Sequence, residues 1–312
     1  CRDWISIMCS SDLGNDLLMK GALYNGQGGK GMEYIARLRI NLTGGKLEIK
    51  NNQLVINKAD EVIIYLGAST DYLPDYPDYK GRDYEKSIQQ NLDRAMAKKY
   101  QNLKKEHIAN YRAYFGRVSF RLEPKDFKDT IPTDQRILLL KEKGVDNHLF
   151  TLFFQYGRYL LISSCRENTL PSNLQGIWAN KIQTPWNCDY HTNNNVQMNY
   201  WPAENTNLGE MHLSLVKVVQ GIEKPATKSA RIQFGATGWC INPVVNVWGF
   251  TSPGEHPSWG LTSAAGGWIC QHFWEHYAYD PDQEYLKKVY PTLKNAARFY
   301  LDWLVKDPET GK

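Results

Sequence analysis

No run of eighteen consecutive apolar residues occurs in the 312-residue chain, so no segment reads as a membrane-spanning helix. Charge of one sign is not in excess either. Thirty-seven Lys and Arg against 33 Asp and Glu leave a formal charge of +4. The basic side chains, among them Lys98, Lys99, Lys104, Lys105, Arg112 and Arg117, are scattered rather than gathered on a strip, so nucleic acid is not an expected partner. Cysteine is sparse. Cys1, Cys9, Cys165, Cys188, Cys240 and Cys270 are widely spaced with no C-x-x-C pair, which argues against a disulfide framework or a zinc knuckle. Cys165 and Cys270 fall inside apolar helical patterns and read as buried free thiols. No charged-then-apolar leader precedes Cys1. A processed lipoprotein carries its lipid on such a cysteine, but the residues that follow already read as mid-domain, and the chain reads as clipped at both ends.

What is present is enough apolar sequence for a core: 42% hydrophobic and 22% charged residues. Aromatics are abundant at 12%, and nine of the ten tryptophans lie between Trp178 and Trp303. Indole faces suit the C–H faces of sugars. Any one of these rings reads more readily as core filling, but the group as a whole reads as a sugar cleft.

Residues 33 to 70 read as short strands. Tyr34 to Ile40 alternates, Gly44-Gly45 turns, Leu47 to Lys50 alternates again, Asn51-Asn52 turns, and Leu54 to Ile56 and Glu61 to Leu66 follow. Strands joined by tight turns suit an antiparallel sandwich. Residues 72 to 82 are a loop rich in Pro and Asp; Tyr84 to Tyr114 is helical and charged, and Val118 to Leu122 reads as one more strand. From Thr133 the chain is helical. Asp146 caps a helix to Ser164; further helices are expected over Leu208 to Glu223, Ser263 to Tyr279, and Asp282 to Leu304, the last kinked or split at Pro291. Helices in series joined by long loops rich in Gly, Trp and Asn suit a helical toroid.

Residues 171 to 204 stand apart. They hold Pro171-Ser172-Asn173-Leu174-Gln175-Gly176-Ile177-Trp178, and then Pro185-Trp186-Asn187-Cys188-Asp189-Tyr190-His191-Thr192-Asn193-Asn194-Asn195 running into Met198-Asn199-Tyr200-Trp201-Pro202-Ala203-Glu204. The block is too polar for a core and too aromatic for a linker, and its amides offer donors and acceptors that match sugar hydroxyls. It resembles the signature of glycoside hydrolase family 95, the inverting α-L-fucosidases: Leu-Gln-Gly-Ile-Trp, an Asn-x-Asn pair, then Met-Asn-Tyr-Trp-Pro-Ala-Glu. The resemblance extends to Arg158 to Ser164, to Gly267 to Tyr277, and to the strand ending in Ala68-Ser69-Thr70-Asp71-Tyr72.

The resemblance implies a multi-domain β plus α fold. Residues 1–72 are the C-terminal part of an antiparallel β-sandwich, 73–133 a connector with a long helix, and 134–312 the first half of an (α/α)6 catalytic barrel. It implies release of terminal α-L-fucose, α-1,2-linked to galactose, with inversion, from a fucosylated glycan and with no cofactor. An inverting glycosidase needs an acid on the leaving oxygen and a base for water on the other face, roughly 6.5 to 9.5 Å apart. In the family an amide pair holds the water, and by motif position those amides are Asn193 and Asn195. His191 takes the place that varies between His and Thr in relatives, His being the fucose-preferring choice. The general acid, a Glu in Ser-Pro-Glu-Asn, and the Asp that polarises the amides are expected beyond Lys312, so residues 1–312 alone are not expected to turn over substrate. Candidate substrate-binding residues are His191, Glu204, Trp259, Trp268 and His272. Glu204 also reads as a structural hydrogen-bonding group, and Trp259 and Trp268 flank Gly266-Gly267, read as a turn. The family's His-His and Asp within Gly238 to Trp248 are replaced by Asn242-Pro243 and Asn246, which bears on outer subsites more than on the reaction. His272-Phe273-Trp274-Glu275-His276 matches the H-x-x-E-H zinc pattern, but the resemblance covers this helix without a metal, and none is expected. Asn41-Leu42-Thr43 is a glycosylation sequon, meaningful only in a eukaryotic secretory setting. The fucosidase reading places the protein outside a bacterial cytoplasm, secreted or periplasmic. Two alternatives stand beside it: an α-L-galactosidase of the same family and a sugar-binding relative without catalysis.

Overall fold

The computed structural model describes residues 4–10, 16–51, 53–124, 127–181 and 183–311. Cys1 lies outside the described residues. The chain divides into two compact units, Cys1–Asn110 and Tyr111–Lys312.

The first unit is built on a four-stranded antiparallel sheet. Its strands are β1 (Trp4–Ser10), β2 (Asp16–Tyr24), β3 (Lys30–Thr43) and β6 (Glu61–Thr70), adjacent in that order. Between β3 and β6 the chain leaves the sheet as a separate hairpin, β4 (Lys46–Lys50) and β5 (Gln53–Asn57). Gly44 and Gly45 make the exit turn, both at φ +68°, a left-handed backbone that glycine adopts without Cβ strain. Alternation along β6 sorts its side chains by face. Tyr65 is buried against Ile88 and Leu92 of α1 (Tyr84–Met96), while Val62, Ile64 and Leu66 on the other face are exposed. The helical stretch from Tyr84 is two helices rather than one, α1 and α2 (Tyr100–Phe115), broken at Ala97 to Lys99.

The second unit is helical. Helix α3 (Thr133–Lys143) ends at left-handed Gly144, and α4 (Asn147–Ser164) starts at Asp146, whose carboxylate accepts the Leu149 N–H at 2.9 Å as the sequence predicts. Then come α5 (Asn195–Tyr200), α6 (Pro202–Asn205), α7 (His212–Gly221), α8 (Glu223–Phe234), α9 (Pro257–Gly260), α10 (Ala265–Tyr279) and α11 (Gln283–Trp303). Helix α8 was not foreseen. Helix α11 passes Pro291 without splitting, and Gln220 of α7 donates to the carbonyl of Lys288, three residues before the proline. A core of Leu161, Ile162, Tyr200, Leu215, Val216, Ile269, Phe273 and Val289 joins α4, α5, α7, α10 and α11.

Two local expectations fail for identifiable reasons. Val118 to Leu122 is not a strand. Its backbone groups go to side chains of α4 instead: Leu122 N–H donates to Thr151 Oγ1, and buried Arg158 donates to the Val118 carbonyl. A strand needs a ladder partner, and these side chains take its place. Gly266-Gly267 is not a turn but the first turn of α10. A Cβ at Gly267 would lie 2.9 Å from the Tyr300 hydroxyl, and the Gly267 N–H donates to that hydroxyl at 2.8 Å. These glycines are there for close helix packing.

Candidate active site around the asparagine-rich segment

The segment Thr192 to Asn195 is pinned at both ends. Before it, Tyr190 and His191 form β7, paired antiparallel with Val244 and Val245 of β8. Buried Thr192 continues the contact: its N–H donates to the Pro243 carbonyl at 2.8 Å and its hydroxyl to the Asn242 carbonyl at 2.7 Å. After it, α5 starts at Asn195. Gln197, fully buried in α5, reaches back and donates from Nε2 to the Thr192 carbonyl at 2.5 Å. Between these anchors Asn193, Asn194 and Asn195 are exposed. A short turn held by buried bonds on each side can present two amides with little conformational freedom.

His191, half-buried, stands just before the turn. Burial pushes its imidazole below the usual pKa, opposed by Asp189, so the ring is neutral at neutral pH. Burial raises the Asp189 carboxyl, with His191 opposing. The Trp186 ring meets His191 edge-on with centroids 6.5 Å apart. Trp186, Asn187 and Cys188 run at φ +49°, +53° and +55°, three consecutive residues in a region that costs an L-residue roughly 1 to 2 kcal/mol each. The Cys188 thiol on Thr184 and the Gln183 amide on Asn187 hold this turn and keep Trp186 exposed.

Asn242 also organises the loop bearing Trp259. Its Nδ2 donates to the Thr251 carbonyl and its Oδ1 accepts from Thr262 N–H, so both ends of 251–262 are tied to the residue that receives Thr192. Trp259 is exposed on α9 and Trp268 half-buried in α10. Trp239, by contrast, is a core residue: it is buried and donates its indole N–H to the Thr292 carbonyl.

Glu204 and His272 belong to a second group. Glu204 Oε1 takes His212 Nδ1 at 2.6 Å and His276 Nδ1 at 2.7 Å, and His212 Nε2 meets His272 Nδ1 at 3.0 Å. An ionised carboxylate only accepts, so both Nδ1 atoms donate to it. Burial alone would raise the Glu204 carboxyl, but the His212 and His276 hydrogen bonds outweigh it and bring it to about 2. Burial lowers His272 to about 4, with His212 lowering it further and Glu204 opposing. Tyr200 stacks on His212, and Tyr285 packs edge-on against His276. The donor atoms of Glu204, His212 and His276 lie within 4.8 Å of one another, a set of metal-ligand type; Glu275 of the H-x-x-E-H pattern is outside it. Both Nδ1 atoms are committed to Glu204 Oε1, so the group is satisfied as a hydrogen-bonded network joining α6, α7 and α10. His212 was missed in the sequence because nothing near it marks it, whereas Thr192 and Gln197 lie within the signature itself.

A sequence profile of the glycosyl hydrolase family 95 catalytic domain matches residues 99–312. The chain belongs to glycosyl hydrolase family 95. It is 35% identical over 287 residues to alpha-L-fucosidase 2 of Arabidopsis thaliana, covering 89% of this chain and 34% of that protein. It is 31% identical over 290 residues to a probable alpha-fucosidase A of Aspergillus niger, covering 89% and 36%. A probable alpha-fucosidase A of Aspergillus oryzae is 30% identical over 294 residues, covering 87% and 39%. The chain thus spans about a third of the length of these relatives. They come from a plant and two moulds and lend no support to a bacterial origin. A putative kojibiose phosphorylase from the human microbiome superposes with a TM-score of 0.58 over 96% of this chain and 36% of that one; at 9% identity the likeness is of fold alone. Among the described residues no helix is long and apolar enough to cross a membrane.

Proposed function

We propose that this family 95 chain forms part of an inverting α-L-fucosidase that releases terminal α-L-fucose, α-1,2-linked to galactose, from fucosylated glycans. The observation that carries the reading is the presentation of Asn193 and Asn195: exposed amides on a turn whose flanks are fixed by Thr192 and Gln197. A neutral amide is a weak base, so its contribution is to hold the attacking water in line, which depends on rigidity. The general acid and the polarising carboxylate are assigned to sequence outside residues 1–312. His191, held neutral, bonds a ring hydroxyl of the sugar. Trp259, on a loop tied to the same anchor as the turn, is proposed as a sugar platform, and Trp268 as a second. Glu204 and His272 act on substrate through the elements they join.

In this reading residues 1–72 are the tail of a β-sandwich, a role supported by the exposed apolar face of β6. Residues 73–133 are the connector and 134–312 the first half of an (α/α)6 barrel. His191 favours fucose over L-galactose, because a C6 hydroxyl needs room and a partner. The test is release of L-fucose from 2′-fucosyllactose by the protein carrying its complete family 95 catalytic domain, the form used in every turnover measurement below. Replacing both Asn193 and Asn195 by Ala is expected to lower turnover by at least about 100-fold, the scale of losing a transition-state hydrogen-bonding group. Unchanged turnover in that variant removes the amides from the chemistry. No fucose from the wild type, with the sugar still bound, returns the α-L-galactosidase and the sugar-binding relative.

A further inference from the structure

A cavity of about 420 Å³ opens between α4, the loop 172–178 and α5. Its volume is that of a small-ligand site. Among the described residues no ionisable side chain lines it. The polar lining is amide and hydroxyl, chiefly Asn173, Gln175 and Asn199, and the apolar lining includes Trp178, an exposed ring at the rim. Such a lining suits a neutral polyhydroxylated ring, with amides for its hydroxyls and an indole for its C–H face.

Three further observations point to a ligand. First, Gln175 Oε1 is buried without a hydrogen-bond partner, although its Nε2 donates to the Pro185 carbonyl. A buried acceptor left unpaired costs roughly 1 to 3 kcal/mol, and a sugar hydroxyl recovers it once the Gln175 amide turns its oxygen into the cavity. Second, Gly157 sits inside α4, where glycine costs about 1 kcal/mol relative to alanine. A Cβ there would meet no atom within 4 Å, so no described neighbour requires the glycine; what its absent side chain leaves is room in the cavity. Third, Asn195, Met198, Asn199 and Pro202 follow helical spacing, and the last three line the cavity, so Asn195 stands on the same stripe one turn away. The other flank agrees: Leu174 N–H donates to the Asp189 carbonyl, and Gln175 holds Pro185 next to Trp186, whose ring meets His191.

We propose that this cavity is the subsite for the leaving group, receiving the neutral hexopyranoside to which the fucose is joined while fucose itself lies at His191, Asn193 and Asn195. The proposal rests on the fucosidase reading, and two readouts separate their failures. Gly157→Leu fills the cavity from a position where helix propensity favours the change. With 2′-fucosyllactose, whose leaving group is a disaccharide, its KM is expected to rise at least ten times more than with α-L-fucosyl fluoride, which has no second sugar. Asn199→Ala is expected to shift the same ratio in the same direction. Equal effects on both substrates, or none on either, overturn the subsite. Binding of lactose alone, followed by saturation-transfer NMR, needs no turnover. Saturation of lactose by the wild type and its loss in Gly157→Leu supports the subsite even if no fucoside is cleaved; no lactose binding by the wild type overturns it.

Discussion

Glu204 takes two imidazole donors on one oxygen, and His272 completes that chain at low exposure, so the helical unit carries a built-in response to acid. His272 is lowered to about 4, against about 6.5 in an unfolded chain. As pH falls, the unfolded chain takes up this proton first. The stability that His272 contributes is therefore complete above about pH 6.5 and is lost as pH falls through about 4, on the order of 1 to 3 kcal/mol. Glu204 acts with the same sign lower down: its contribution is present above about pH 4.3 and is lost as pH falls through about 2. The melting temperature should therefore fall between pH 7 and pH 4.5, and the fall should be shallower in His272→Phe. An equal slope in both proteins would show that this histidine does not govern the response. At the turn, His191→Thr is expected to lower kcat/KM on α-L-fucosides by about 10- to 100-fold relative to the matching α-L-galactosides, the range a single pocket contact commands; an unchanged ratio would remove His191 from sugar selection. The residues of the turn were legible because they stand within one contiguous signature. The Glu204 network was not, because its members come from Glu204, His212, His272 and His276, and only folding brings them together.

At the scale of elements, the turn depends on contacts that cross the sequence. Thr192 Oγ1 to the Asn242 carbonyl joins β7 to the segment leading into β8. Thr192→Val keeps the shape and loses the hydroxyl; it should lower kcat by about 10-fold or more with little change in KM, and Thr192→Ser should restore most of the loss. A change in KM alone would mean that the anchor serves binding rather than presentation of the amides. Gly267 tests helix packing. Ala is the better helix former by about 1 kcal/mol, yet Gly267→Ala should destabilise by about 1 to 3 kcal/mol because its methyl would press on Tyr300. A raised melting temperature would refute that packing argument. The same position shows where pattern reading fails: a Gly-Gly pair signals a turn, and only the partner helix reveals that it marks close approach. Val118 to Leu122 fails likewise, since alternation marks what can pair in a sheet and not whether a partner strand exists. Asp146, Gly44 and Gly45 were legible because caps and tight turns are decided by neighbouring residues.

Across the whole molecule, strands β3 to β6 and helices α4, α7, α10 and α11 follow from periodicity, and the family follows from residues 171 to 204. The concentration of tryptophan also has a structural outcome: Trp178, Trp186, Trp201, Trp248, Trp259 and Trp274 are exposed, whereas Trp239 is core. Composition alone could not sort these, since an indole serves equally as filler or platform. What joins the scales is one claim, that the turn at Asn193 and Asn195 holds a water for direct displacement at a fucosyl carbon. The most direct test is a proton NMR time course of the protein carrying its complete catalytic domain with 2′-fucosyllactose, read at the anomeric signals of released fucose. The account predicts that β-L-fucose appears first and then equilibrates with the α anomer. Initial appearance of α-L-fucose would contradict it, because retention requires a covalent intermediate on a nucleophile that an amide-held water does not supply.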